Sequence, residues 1–312
     1  MKKCFYCLTA LLFLAGCEGL LKDSDKAGGG GGDTPQAGDE TVSGVTQPKG
    51  AIKRIFDVQT DSRDWHLFDF DDVYAYDAQG RVVTDICDEK TYEGSTGKIV
   101  FNYNYEYTYH YDGTRYEWWN SPSSKDKAQE GTLNAKGQLV SLKRLASGGT
   151  VIRTDTFTYD AEGHLTKFVK DFGDGDKTTF TYTWADGNMV ASVKTVTSGS
   201  TTVSTEQYNY NYSRDPNPTR GHFFDLQHKC CFPDTNQSMM LGLGPKNLLT
   251  SVYILNTKVN LGLISRHYSY EWNDARTQIV KMVRTVLDFP CEEEEIIRKE
   301  RTIDTFTFEY YE

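Results

Sequence analysis

The chain has 312 residues and a net charge of −10 with histidine neutral. So acidic a chain lacks the basic footprint that neutralises phosphates, which removes nucleic acid as a partner. It has no Gly-x-Ser-x-Gly elbow, no His-Glu-x-x-His pair and no phosphate-cradling glycine loop, so the chemistries those motifs serve are not expected, and neither is a cofactor.

The first seventeen residues read as a targeting segment. Lys2-Lys3 precede an apolar run, Phe5 to Ala15, that is too short to span a bilayer as a helix. The run ends in Leu14-Ala15-Gly16-Cys17, which resembles the lipobox of bacterial lipoproteins. The resemblance implies cleavage before Cys17 and acylation of its thiol; the plainer reading is an ordinary secretory leader with a chance cysteine. Cleavage would remove Cys4 and Cys7 together with Lys2 and Lys3, leaving a net charge of about −12. Residues 17–50 then form the lipidated cysteine and a tether, with five glycines at 28–32 and too little apolar surface to order itself. Glu18 stands where an inner-membrane retention signal would place Asp; together with the family resemblance given below, this leads to an expected outer-membrane address, on either face.

Residues 51–312 read as one β domain built from hairpin repeats. The clearest copy is Thr156-Phe157-Thr158-Tyr159-Asp160-Ala161-Glu162-Gly163-His164-Leu165. Side chains alternate across a strand, so Phe157 and Tyr159 share one face. Asp160 can accept backbone N–H groups within the turn, and Gly163 can take a positive φ. Tyr74-Ala75-Tyr76-Asp77-Ala78-Gln79-Gly80, Leu133-Asn134-Ala135-Lys136-Gly137, Trp184-Ala185-Asp186-Gly187 and Tyr109-His110-Tyr111-Asp112-Gly113 repeat the logic, and Tyr268-Ser269-Tyr270 begins a weaker copy. Further turns at Ser147-Gly148-Gly149, Gly173-Asp174-Gly175 and Ser198-Gly199 fall between them. The repeat predicts an all-β antiparallel meander of about 14–18 strands, a curved open sheet or barrel.

The Tyr-Asp-x-x-Gly units at 76–80 and 159–163 resemble the tyrosine–aspartate repeats of Rhs-type proteins, whose hairpins wind into large shells. Taken with the N-terminus, residues 51–312 are similar to a group of Bacteroidota outer-membrane lipoproteins with a porin-like antiparallel domain of unknown function. That resemblance implies fold and compartment and supplies no catalytic residues. Membrane insertion is not expected. Lipid-facing strands need an apolar outer band, whereas Lys167, Lys170, Lys177 and Lys194 interrupt both faces.

Five tyrosines at 103, 105, 107, 109 and 111 share one face of a strand. Tyr103, Tyr105, Tyr107 and Tyr109, with Trp118 and Trp119, form a candidate surface for stacking a glycan; the plainer reading is cross-strand packing. Asp171 to Asp176 resembles a calcium loop but has Tyr182 where the closing glutamate belongs, so it reads as a hairpin tip. His222, His228, Cys230 and Cys231 lack the spacing of a zinc finger. Cys87, Cys230, Cys231 and Cys291 leave disulfide pairing open. Asp69, Asp71, Asp72 and Glu292 to Glu295 offer carboxylates that nothing in the sequence pairs. The expected function is a non-catalytic envelope module that binds a glycan or an envelope protein. The alternatives are a glycan-active hydrolase and a purely structural partner.

Overall fold

The computed structural model describes residues 49–120, 127–218, 238–256, 261–288 and 300–312. The chain divides into two units, 1–42 and 43–312, and the second carries the fold. Its strands are β1 (Ile52–Asp61), β2 (His66–Tyr76), β3 (Val82–Glu93), β4 (Lys98–Asp112), β5 (Arg115–Trp119), β6 (Lys127–Leu133), β7 (Leu139–Leu145) and β8 (Val151–Tyr159). There follow β9 (Leu165–Asp171), β10 (Asp176–Ala185), β11 (Asn188–Ser198), β12 (Thr201–Pro216), β13 (Asn247–Asn256), β14 (Leu261–Trp272), β15 (Ile279–Asp288) and β16 (Glu300–Tyr310). Each strand pairs antiparallel with its sequence neighbours, and β16 pairs with β1 from Ile52↔Tyr310 to Asp61↔Thr302. The sheet is therefore a closed sixteen-stranded barrel, within the expected strand count and with the closure settled.

Alternation decides which face is inside. On β8, Asp155 and Phe157 are buried while Thr156 and Thr158 are exposed. On β10, Phe180 and Tyr182 are buried while Thr181 and Thr183 are exposed. On β12, Tyr208 and Tyr210 are buried and Asn211 is exposed. On these strands most ring side chains point inward and Thr and Asn predominate outward, with Ile152 and Val203 also exposed.

A barrel of this strand number encloses more space than small side chains can fill. Aromatic rings fill it. Phe157, Phe168 and Phe180 stack across β8, β9 and β10 with centroids 5.1 and 5.5 Å apart and planes within 13°. Met240 and Leu241, from the β12–β13 connection, join this core, and Leu243 N–H bonds to the Gly163 carbonyl in the β8–β9 turn. Farther along the lumen the contacts become polar and paired. Arg284 Nε donates to Asp304 at 2.9 Å, Gln59 Nε2 donates to the same carboxylate at 2.7 Å, and Arg153 forks onto Asp155 at 2.8 Å.

One end of the barrel is tied by a girdle of ring donors. Tyr76 O–H donates to the carbonyl of Ile52 (2.6 Å), Tyr111 to Val82 (3.0 Å), Tyr159 to Leu139 (2.7 Å), Tyr212 to Met189 (2.8 Å), Tyr270 to Leu249 (2.7 Å) and Tyr310 to Ile279 (2.6 Å). Trp184 Nε1–H does the same to Leu165 at 2.8 Å. In every case a ring near the end of an even-numbered strand reaches an apolar residue near the start of the preceding strand. Those residues are 4% exposed or less. Burial pushes the Tyr76, Tyr159, Tyr212 and Tyr310 hydroxyls up, so they remain protonated donors. The copy at Leu133 has no ring hydrogen to give, and there the backbone N–H of Leu133 reaches the Thr114 carbonyl at 2.7 Å.

The turn residues act as their spacing suggests. Asp160 Oδ1 accepts the N–H groups of Gly163 (2.8 Å) and His164 (2.9 Å), and Gly163 holds φ at 99°. Asp77 and Asn134 accept matching bonds in their own turns.

Two predictions follow from the girdle and its turns. Tyr212→Phe keeps the ring and removes the bond to Met189, so denaturant unfolding should show a loss of about 1–3 kcal/mol. Tyr103→Phe, on the exposed part of β4, should change stability by less than about 0.5 kcal/mol. For Asp160, burial favours the neutral acid, but the bonds from His164 and Gly163 outweigh it and hold the carboxyl below its ordinary value. The resulting stability is present above the ordinary carboxylate range and is lost as pH falls through the lowered value. Asp160→Ala should therefore cost about 1 kcal/mol at pH 7 and progressively less below about pH 4; a cost independent of pH would contradict this account.

Candidate functional site

The tyrosine stripe of β4 is luminal, and it does not stay in one environment. Tyr107 and Tyr109 are 7% and 3% exposed and belong to the core. Tyr105 is half-buried, whereas Tyr103 is 48% and Phe101 45% exposed. The rings nevertheless form one ladder. Phe101 and Tyr103 stack at 5.6 Å, Tyr103 and Tyr105 meet at 4.3 Å with their planes tilted by 39°, and Tyr105 and Tyr107 stack at 5.4 Å. Tyr107 meets Trp118 edge-on at 4.9 Å, and Trp118 lies parallel to Tyr109 at 6.2 Å. An aromatic column thus runs from the packed interior to solvent at the end opposite the girdle.

This changes which expected site residues can meet a ligand. Tyr107, Tyr109 and Trp118 support the ladder from within. Trp119 lies on the other face, against His110 (6.3 Å) and Lys127 (5.8 Å), because adjacent residues of a strand point in opposite directions. Tyr103 and part of Tyr105 remain available, joined by Phe101. On the same face of β2, Phe68 and Phe70 stack at 6.3 Å, opposite Thr91 and Glu89 of β3, which in turn oppose Phe101 and Tyr103. Phe101, Phe68, Phe70 and Glu89 continue the period-two rows of their strands; in sequence only their lack of the Tyr letter hid them.

Carboxylates line the same wall, and tyrosines bind them. Tyr105 O–H donates to Glu89 at 2.6 Å and Tyr74 O–H to Asp72 at 2.9 Å; Tyr109 O–H makes a longer bond of 3.4 Å to Asp85. Of the three aspartates read together in the sequence, Asp72 is luminal and buried. Asp71 is forked by Arg54 on the outer face, and Asp69 there accepts Tyr92 O–H at 2.6 Å and bonds to His66. Asp171 and Asp174 each accept a backbone N–H within the β9–β10 turn, and Lys177 pairs with Asp171 at 2.8 Å. Among the described residues no group of three His, Cys, Asp or Glu could hold a metal ion. Two surface clefts, one beside Arg54 and Glu309 and one between the turns at Asn134 and Asp160, lie away from the ladder.

Cys87, one of the four cysteines left open for disulfides, is a buried free thiol. Burial and the neighbouring Asp72 carboxylate push it far above its ordinary range. It should resist alkylation in the native protein at pH 8 and react only on unfolding, as read by mass mapping of the peptide that contains it; rapid native labelling would mean that this wall opens. Cys17, Cys230, Cys231, Cys291, His222, His228 and Glu292 to Glu295 lie outside the described residues.

No family model matches the chain, and no curated protein matches it. Among solved structures, it is similar to the crystal structure of a porin-like protein from Bacteroides uniformis. The identity is 15%, the TM-score is 0.60, and the match covers 85% of this chain and all of that one. That likeness is one of fold. A second match, to the Tc holotoxin pore of Photorhabdus luminescens, has 12% identity, a TM-score of 0.26 and 73% coverage of this chain against 14% of that one.

Proposed function

We propose that this protein is a lipid-anchored, non-catalytic binding barrel of the outer membrane that holds its ligand on the exposed end of the β4 ladder. The observation that carries the reading is the exposure of Phe101 and Tyr103 within a ring stack whose other end is rigid core. Exposed rings held from behind give large contact area at little entropic cost. Such ring faces take the apolar side of a sugar or a cation. Anchoring rests on Leu14 to Cys17, and the polar outward rows of β8, β10 and β12 suit a barrel held in water beside the membrane. The chain enters the barrel at Ile52, at the girdle end, which leaves the exposed ladder at the opposite end.

A hydrolase needs two carboxylates facing each other across a gap that admits substrate. Here Asp72 and Asp85 are buried beneath tyrosines, which favours binding over hydrolysis.

Trp118 touches the ladder and should report occupancy. Titrating the protein with soluble polysaccharides and with cationic and anionic peptides should give a saturable fluorescence change for at least one of them. Phe101→Ser with Tyr103→Ser should weaken that binding by about tenfold or more with the thermal midpoint unchanged. Silence across the panel from a folded protein would overturn the binding reading and favour a structural role.

A further inference from the structure

We propose that Glu89 and the rings on either side of it bind an organic ammonium group, carried by a small alkylamine or by an amino sugar. The inference rests on the binding reading above and names the chemistry of its ligand. Glu89 is half-buried in the luminal wall and stands at the centre of a cross-strand row. Phe70 of β2 lies opposite it on one side and Tyr103 of β4 on the other. Directly opposed side chains begin about 5 Å apart at Cβ. The next row toward the open end repeats the arrangement with Phe68, Thr91 and Phe101. Along each flanking strand the ring planes are nearly parallel, within 19° for Phe68 and Phe70 and within 10° for Phe101 and Tyr103. One carboxylate therefore sits between two short columns of rings.

No side chain cancels its charge. Tyr105 O–H donates to Glu89 at 2.6 Å, and a hydroxyl donor stabilises a carboxylate without neutralising it. Among the described residues no Lys, Arg or His pairs with Glu89. Its neighbour Lys90 points to the outer face, where it pairs with Asp88 at 2.6 Å. Other luminal carboxylates are matched by a cation of the fold: Asp155 by Arg153 at 2.8 Å, Asp304 by Arg284 at 2.9 Å and Glu206 by Lys194 at 3.2 Å. Beside Glu89 the fold places rings instead. Ring faces attract cations that come within about 6 Å, and cages of this kind are how proteins hold quaternary ammonium groups.

Access and chemistry narrow the ligand. Phe101 and Tyr103 are 45% and 48% exposed, and Glu89 and Thr91 are half-buried, so a small group reaches the row from solvent without parting the sheet. A neutral sugar would gain from the ring faces and nothing from the charge. A metal ion would find one carboxylate where it needs several ligands, and among the described residues no three metal-ligating side chains converge. An alkylammonium or amino sugar carries both a positive charge for Glu89 and C–H surface for Phe101 and Tyr103.

The test uses the full chain in mild detergent and calorimetric titration with two matched pairs of probes. The first is choline against dimethylbutanol, in which carbon replaces the charged nitrogen. The second is tetraglucosamine, under mildly acidic conditions that keep its amines charged, against its N-acetylated form. At least one ammonium probe should bind about tenfold or more tightly than its neutral counterpart. Glu89→Gln, which keeps the shape and can still accept from Tyr105, should abolish that preference and leave the thermal midpoint and the neutral probes unchanged. A preference confined to choline assigns the site to small alkylamines, and one confined to tetraglucosamine assigns it to amino sugars. Equal binding within both pairs by the wild-type protein would overturn the inference, whether or not the variant folds. A preference that survives Glu89→Gln would also overturn it. If a neutral polysaccharide gives the Trp118 response and no ammonium probe binds, the binding reading survives and this inference fails; if nothing binds, both fail.

Discussion

The structure depends on the ring hydrogen that each repeat gives to the one before it. At the girdle end, short covalent turns join β2 to β3, β4 to β5, β6 to β7, β8 to β9, β10 to β11 and β14 to β15, while the odd strand and the even strand that follows it part there without a turn. The ring donors lie across those gaps: Tyr76 ties β2 back to β1, Tyr159 ties β8 to β7, and Tyr310 ties β16 to β15. Covalent turn and ring bond therefore alternate around the circumference. Where Leu133 lacks a donor, a backbone bond to Thr114 takes the place, and at the β16–β1 seam Gly50 N–H donates to the Tyr311 carbonyl while Tyr311 N–H donates to the Ala51 carbonyl. The acceptors are among the most deeply buried residues of the barrel, so each bond forms where an unmet carbonyl would be costly.

The same logic accounts for the tyrosine content. A wide lumen needs bulky side chains, and phenylalanine alone would fill it. Tyrosine also carries a donor that can meet a carbonyl at the girdle or a carboxylate farther along. Tyr74, Tyr92 and Tyr105 each satisfy an acid of the β2–β3 wall. On β15 and β16 the corresponding task falls to an ion pair, Arg284 with Asp304, which is assisted by Gln59 from β1. Such a pair is costly to desolvate and costlier to break, and its three members sit on adjacent strands at the seam that closes the barrel. This places the geometric demand where the sequence separation is greatest.

What could be read from sequence was local. Asp160 and Gly163 lie in the turn they build, and Phe157 and Tyr159 share a face by strand geometry alone, so hairpins, strand count and antiparallel order were legible. Closure was not, because it rests on Ile52 meeting Tyr310, and no pattern within either strand encodes that meeting. The reason for the tyrosine or tryptophan near most of these strand ends was hidden similarly: its acceptor lies 19–31 residues earlier. In the candidate site the stripe was visible and its division was not. Where the rings pass from core to solvent depends on how far β5 extends, and β5 pairs with β4 no farther than Trp119. The opposed directions of Trp118 and Trp119 were legible, since neighbours in a strand cannot share a face.

The contrast between the two ends of β4 connects stability to function. Near Tyr111 and Tyr109 the strand is held on both edges and its rings are buried. Near Phe101 it keeps the ring row but has a described partner only in β3. Because the ladder is continuous, the exposed rings inherit the order of the buried ones and lose little entropy on contact. Making the outer end polar would leave the girdle unchanged, since no girdle donor or acceptor lies between Lys98 and Tyr107. The fold does not require aromatic residues there, and the proposed binding role would account for them.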